Sequence, residues 1–587
     1  MAKKSDYVIG DIYQGGYSTL KPSSDDLFMG YRLDASRVGA PTKPDTANQI
    51  QQVNMLLNQG IVPIEVQTLP PEVFDQIPKQ HFTELRRAAK LGGAKMSVHA
   101  PLIEASGMTR EGWSDSTREL AERQLWDVVQ KSHEMDENGG IPITIHSSGI
   151  PGKEMEMTKE GPQEAVIQAI NQETHQVQRL KREMKYYPGE DLDKGIIFTP
   201  QRELDALNNT DWQNSLYTLV HQQHEADKII GEYSKDILPF IENGAINKEA
   251  VLQSEVGDQA LGQLRNAEAY LEDARLHING LFNKAYKYGT EEDKIKLRKI
   301  SEEYGKELEK IEGDVWNVGQ KSHAIQGVIN ALGGISPKTF IPIEDWAVEQ
   351  SSKTFANVAL KSYEKYGDKS PTISIENLYP GMAFGYADEM KRLITKSRDT
   401  FVEEGMKKGL SSSEAKEKAE KIIGMTLDVG HLNIQKKGGY KDEDLQKEVK
   451  EMSKFVKHVH LTDNFGYSDS HLSPGMGNVP FKKILEELEK KGFQGNAVVE
   501  AGGLVQHFGT SPYPFALEAM GSPIYSMKMA PYWNQTSGLQ QGYFGGYGGM
   551  LPQKNYETFG AGFSQLPAEL GGKIGGGTGR ISGNPME

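Results

Sequence analysis

The chain has no cysteine among its 587 residues. Disulfides, thiolate zinc sites, iron–sulfur clusters and cysteine nucleophiles are therefore excluded, and any transition metal has to be held by imidazole and carboxylate. No apolar run approaches the roughly 20 residues that cross a bilayer. Met1 to Gly10 carries two lysines but no apolar stretch of the kind a secretory signal needs. No basic block of five or more residues occurs and the net charge is −15, which argues against a protein that wraps nucleic acid by charge alone. A P-loop and a GxSxG elbow are also missing. His133-Glu134 and His224-Glu225 begin like a zinc-protease helix, but neither has the second histidine of HExxH. The expectation is a cytoplasmic protein with no membrane partner. With 37% hydrophobic and 25% charged residues the composition supports a packed core.

Short β-rich runs alternate with amphipathic patterns. The strand candidates are Leu27 to Ser36, Ile61 to Thr68, Lys95 to Ala100, Pro142 to Ser147, Thr372 to Asn377, Met425 to Asp428, Lys457 to Asp463 and Ala497 to Glu500. Helical periodicity separates them, for example over Thr46 to Asn58, Ser116 to Asp136 and Pro480 to Lys491. Eight strand–helix units predict an α/β TIM barrel. A doubly wound sheet is the rival, and it would normally show GxGxxG after its first strand, which is absent. Between the fourth and fifth strands, Gly152 to Pro342 is rich in Glu, Lys, Gln, Ala and Leu at helical spacing. Glu164 to Lys185, Trp212 to Ile241, Lys248 to Lys287 and Glu291 to Leu332 read as helices, so an all-α insertion domain is expected. The division is then an extension over 1–26, barrel halves over 27–151 and 343–531, the insertion over 152–342, and a Gly/Tyr-rich tail over 532–587 that reads as extended or partly disordered.

In a barrel, residues at the C-terminal ends of the strands point into one mouth. Here those positions are His99, His146, Glu376, Asp428 with His431 three residues on, His460 with a loop carrying Asp469 and His471, and Glu500. All are nitrogen or oxygen donors suited to zinc. One strand-end histidine is usually a structural residue, but six consecutive strands ending this way predict a multinuclear metal site. Five of the 14 histidines would sit there. His221 and His224 share a helical face and read as solvated surface, and His458 reads as barrel interior.

With these residues in place the sequence resembles the endonuclease IV family of zinc-dependent apurinic/apyrimidinic endonucleases, within the xylose-isomerase-like barrels. The motifs are SVHAPL, ITIHSSG, SIENLYPG, TLDVGH, HVHLTDNFGYSDSHLSPGMGN and VVEAGG. They cover Leu27 to Pro151 and Thr372 to Gly509, and leave out the insertion and the tail. The resemblance implies three zinc ions; by donor chemistry alone, imidazole-plus-carboxylate sites accept manganese as well. His99 and His146 would hold the first, and Glu376 would bridge it to a second completed by Asp428, His460 and Glu500. His431, Asp469 and His471 would hold the third. It implies a phosphodiesterase of DNA repair that cleaves DNA 5′ to abasic sites by metal-hydroxide attack, with Glu376 and Glu500 as catalytic residues and Glu500 orienting the hydroxide. Leu102 stands where that family carries an aromatic residue.

Two other readings fit the same residues. A sugar isomerase or epimerase on this barrel needs one or two metals and a base, and does not require the third, DxH-based site. Alternatively the barrel is a scaffold that works through a protein partner of its helical insertion.

Overall fold

The computed structural model describes residues 29–189, 191, 193, 195–242, 245–311, 315–502 and 512–520. The expected N-terminal extension and the Gly/Tyr-rich tail lie outside the described residues. The chain folds into two compact units, one running to Ala165 and resuming at Ile343, the other Val166–Pro342.

The first unit holds a closed barrel of eight parallel strands, each paired with its sequence neighbours. The strands are β1 (Val38–Pro41), β2 (Pro63–Gln67), β3 (Lys95–His99), β4 (Pro142–His146), β5 (Thr372–Glu376), β6 (Ile423–Asp428), β7 (Val456–His460) and β8 (Ala497–Val498). The surrounding helices are α1 (Gln49–Asn58), α2 (Lys79–Gly92), α3 (Asp115–Met135), α4 (Ile343–Tyr366), α5 (Ala387–Lys407), α6 (Ser412–Ile422), α7 (Asp442–Met452) and α8 (Phe481–Lys490). Their formation follows local rules. The Ser114 hydroxyl accepts from Thr117 N at 3.1 Å while the Thr117 hydroxyl accepts from Ser114 N at 3.2 Å, a capping box that starts α3. In α8, Phe481, Ile484, Leu485 and Leu488 fall on one face and are buried.

Seven strands lie where the alternation placed them, but the first does not. The expected Leu27 to Ser36 run holds Gly30 at φ +71° and a 3₁₀ turn over Ala35–Arg37, and pairing begins only at Val38. VGAP is a poor strand by propensity. It is accepted because Gly39 lets β1 approach β2 closely: a Cβ there would lie 2.4 Å from the Pro63 carbonyl oxygen.

The second unit is mainly helical, with long helices over Pro200–Ile237, Glu255–Tyr288, Glu291–Ile311 and Val318–Gly333. Their apolar stripes share a core containing Trp212, Leu264, Leu271, Ile325 and Leu332. The helix expected over Glu164 to Lys185 is instead β structure. Val166 to Ile170 pair antiparallel with Val177 to Lys181, and Ala169 to Asn171 with Phe340 to Pro342. The β-branched Val166, Ile167 and Ile170 favour strand. The Asn171 side chain accepts from Glu173 N and Thr174 N, forming a turn that a helix would not allow. The single helices expected over Lys248 to Lys287 and over Glu291 to Leu332 are each two, Lys248–Gln253 with Glu255–Tyr288 and Glu291–Ile311 with Val318–Gly333. Among the described residues no helix is long and apolar enough to cross a membrane.

Candidate metal centre

The parallel register sets the site. Glu376 on β5 lies level with His146 on β4, and Asp428 on β6 lies level with His460 on β7. The mouth thereby collects all nine residues expected there. Their donor atoms form three groups, each within 4.8 Å: His99, His146 and Glu376; Glu376, Asp428, His460 and Glu500, which shares Glu376 with the first; and, separately, His431, Asp469 and His471. His221 and His224 are exposed on the helix Pro200–Ile237, as the sequence suggests.

Each side chain is held by its neighbours. His99 Nδ1 lies 2.9 Å from the Ala100 carbonyl, which fixes the ring so that Nε2 faces Glu376 Oε2 at 3.5 Å. His146 Nε2 reaches the same oxygen at 3.3 Å. His431 is placed by its own motif. Asp428 Oδ1 accepts the His431 backbone N–H at 2.9 Å, while His431 Nδ1 faces the Asn377 carbonyl at 2.9 Å and aims Nε2 at Asp469, 3.2 Å away. Between them Gly430 is required, because a Cβ there would lie 2.0 Å from Thr462 Oγ1. His471 Nε2 lies 2.9 Å from Asp469 Oδ2.

The arrangement fits a bound cation. Glu376 Oε2, Asp428 Oδ2, Asp469 Oδ1 and Glu500 Oε1 are buried and have no hydrogen-bond partner in the protein, a costly condition unless something else satisfies them. The donors are imidazole and carboxylate, as zinc or manganese accepts. Electrostatics separate the two glutamates. Burial alone would lift Glu376, but the imidazoles of His460, His99 and His146 outweigh it and hold the carboxyl well below its usual range. Burial keeps Glu500 above its usual range despite His460 and His99. His146 is pushed down to about 4 by burial. Burial also opposes the charged form of His99 and His471, yet Glu376 raises the first to about 9 and Asp469 raises the second to about 9.

Three supporting carboxylates were not singled out in the sequence. Glu104 ties the loop after β3 to the loop after β4, accepting from the Ser106 hydroxyl at 2.6 Å and the Ser148 hydroxyl at 2.9 Å. Asp463 gathers the loop that carries Asp469 and His471, accepting from Gly475, Gly477 and Val479 backbone N–H groups at 2.9, 2.8 and 3.1 Å. Glu65, fully buried on β2, meets His458 at 3.0 Å. A glutamate inside the apolar run IVPIEVQT was the available signal for it. His458 is interior, as expected.

A family comparison agrees with the barrel. Residues 326–506 match the family model described as xylose isomerase-like TIM barrel. An uncharacterized protein of Methanocaldococcus jannaschii is 38% identical over 80 residues, which is 14% of this chain and 26% of the relative. Fructoselysine 3-epimerase of Shigella flexneri is 31% identical over 65 residues, 11% of this chain and 22% of the relative. The chain thus matches about a quarter of the length of these curated relatives. Among solved structures, D-psicose 3-epimerase with D-tagatose from Clostridium cellulolyticum H10 aligns with a TM-score of 0.36 at 9% identity, covering 84% of this chain and 98% of that one. A D-tagatose 3-epimerase-like protein aligns with a TM-score of 0.35 at 12% identity, over 79% and 90%. The fold of the first unit is that of a xylose isomerase-like TIM barrel.

Proposed function

We propose that the barrel is a metal-dependent isomerase or epimerase acting beside the carbonyl of a sugar or sugar derivative. The observation that carries this reading is the convergence of Glu376, Asp428, His460 and Glu500 into one buried group of donors. A zinc or manganese ion held there would polarise a carbonyl and the neighbouring hydroxyl, making the carbon-bound proton easier to remove. Glu376 and Glu500 supply two carboxylates at one centre. One can withdraw the proton and the other can return it, which is what inversion or migration at a carbon requires. Their opposite electrostatic environments suit such a division of labour. On this reading His99 and His146 would hydrogen-bond substrate oxygens or ligate a further ion. The fructoselysine 3-epimerase relative supports carbohydrate as the substrate class.

A second reading has its own observation. The His431, Asp469 and His471 group is a third set of donors that proton transfer does not require. It favours hydrolysis of a phosphodiester, with DNA containing abasic sites as the substrate implied by the resemblance. Hydrolysis would use the same glutamates to orient a water molecule and three cations to neutralise phosphate charge.

One paired assay separates the two. The metal-reconstituted protein is incubated in D₂O with a panel of ketoses and their amine adducts, and in parallel with duplex DNA carrying one abasic site. Chelator-sensitive deuterium incorporation beside the carbonyl supports the first reading. Chelator-sensitive cleavage 5′ to the lesion without any exchange replaces it with the second.

A further inference from the structure

We propose that Glu65 is a positioning residue that fixes the orientation and tautomer of His460 for metal binding. The inference rests on the reading of Glu376, Asp428, His460 and Glu500 as a metal site. The five mouth histidines are not oriented alike. His99, His146, His431 and His471 all face their carboxylate partners through Nε2. His460 faces the donor group through Nδ1, 2.9 Å from Glu376 Oε1 and 3.4 Å from Glu500 Oε2.

Its other nitrogen points away from the mouth. His460 Nε2 lies 3.1 Å from Glu65 Oε1, and both side chains are fully buried. The second oxygen of Glu65 is already engaged, taking the Ser97 hydroxyl at 2.9 Å from the adjacent strand and facing His458 Nε2 at 3.0 Å. Glu65 Oε1 and His460 Nε2 have the distance of a hydrogen bond but not its angle, and neither has another hydrogen-bond partner.

A neutral imidazole has one N–H and one lone pair. A carboxylate at Nε2 keeps the proton there, so the Nδ1 lone pair faces the metal. Leaving the buried Glu65 oxygen unpaired would be costly, so the contact stabilises both partners. Glu65, His458 and His460 also fall within 4.8 Å as a donor group of their own. An ion held there would need the lone pair on Nε2 and the proton on Nδ1, against Glu376 and Glu500. The two arrangements therefore predict opposite tautomers.

The test titrates zinc against a competing chelator in the full-length wild type and in Glu65→Gln. Glu65→Gln is expected to weaken one site by about 10–100-fold while the number of ions at saturation stays the same. An unchanged affinity, or the loss of one ion at saturation, overturns the proposal. Failure of the wild type to bind zinc overturns the metal reading itself, and this inference with it. A second measurement needs no variant. In ¹⁵N-histidine-labelled, zinc-loaded wild type, one metal-bound ring is expected to coordinate through Nδ1 and to keep a slowly exchanging Nε2 proton. Coordination of every bound ring through Nε2 contradicts the proposal.

Discussion

Asp428 Oδ1 accepts the backbone N–H of His431 at 2.9 Å, and Asp428 Oδ2 is buried without a hydrogen-bond partner. One side chain thus caps the turn that presents the next histidine and keeps a second oxygen for the mouth. The two roles separate by substitution. Asparagine is as good a cap as aspartate, so Asp428→Asn should keep the metal-free protein near wild-type stability while weakening metal binding. Asp428→Ala should lose the cap as well, about 0.5–2 kcal/mol. Denaturant titration of the metal-free proteins and chelator competition check this, and equal destabilisation by both variants would refute the cap.

The third donor group makes a count. The double variant His431→Ala, Asp469→Ala should bind one ion fewer per chain than wild type, with the barrel intact by circular dichroism. If the first reading of function is right, deuterium exchange into a sugar survives this loss. If phosphodiester cleavage is the activity, it does not. Metal analysis of the dialysed proteins gives the stoichiometry.

Lys153 Nζ lies 3.1 Å from Glu389 and 3.0 Å from Asp388. Burial pushes the Glu389 carboxyl up to about 8, with Lys153 opposing and Glu344 and Asp388 adding to the rise. An unfolded glutamate ionises near about 4.3. The folded state therefore holds this proton more tightly. Its contribution to stability is complete below about 4 and is lost as the pH rises through about 8. Glu389→Gln removes the titration, so wild type should lose stability relative to the variant between pH 5 and pH 9. Denaturation midpoints that stay parallel across that range would show that Glu389 does not titrate there.

In the second unit Trp212 is buried and donates its indole N–H to the Leu332 carbonyl at 3.1 Å. Trp212→Ala should cost about 3–5 kcal/mol locally. Hydrogen exchange should then accelerate across Pro200–Ile237 and Val318–Gly333. Unchanged protection in those helices would contradict the packing described.

Much of the mouth was legible because barrel geometry turns strand ends into a spatial set. His99, His146, Glu376, Asp428, His460 and Glu500 needed only the alternation that located the strands. His431, Asp469 and His471 needed the DxxH and DxH spacings. Glu65 could be marked as a buried charge in an apolar run, but its partners were not legible, because His458 and His460 lie nearly four hundred residues away and only strand closure brings them together. β1 was missed because close approach at Gly39 outweighs a weak β propensity. The strands over Val166 to Lys181 were missed because Gln168, Gln178 and Arg179 among their apolar residues mimic a polar helix, while the turn after Asn171 decides the matter. Function was less legible than geometry. One set of imidazole and carboxylate donors suits both proton transfer and phosphoester hydrolysis, and the substrate differs by groups that ligand spacing does not encode.

The most direct test of the metal centre is an anomalous-difference map from crystals of the zinc-loaded protein. The expected result is a peak about 2.0–2.2 Å from His460 Nδ1 and from oxygens of Glu376, Asp428 and Glu500. A map with no peak among these four residues, in a protein shown to be folded and zinc-saturated, would contradict the metal centre.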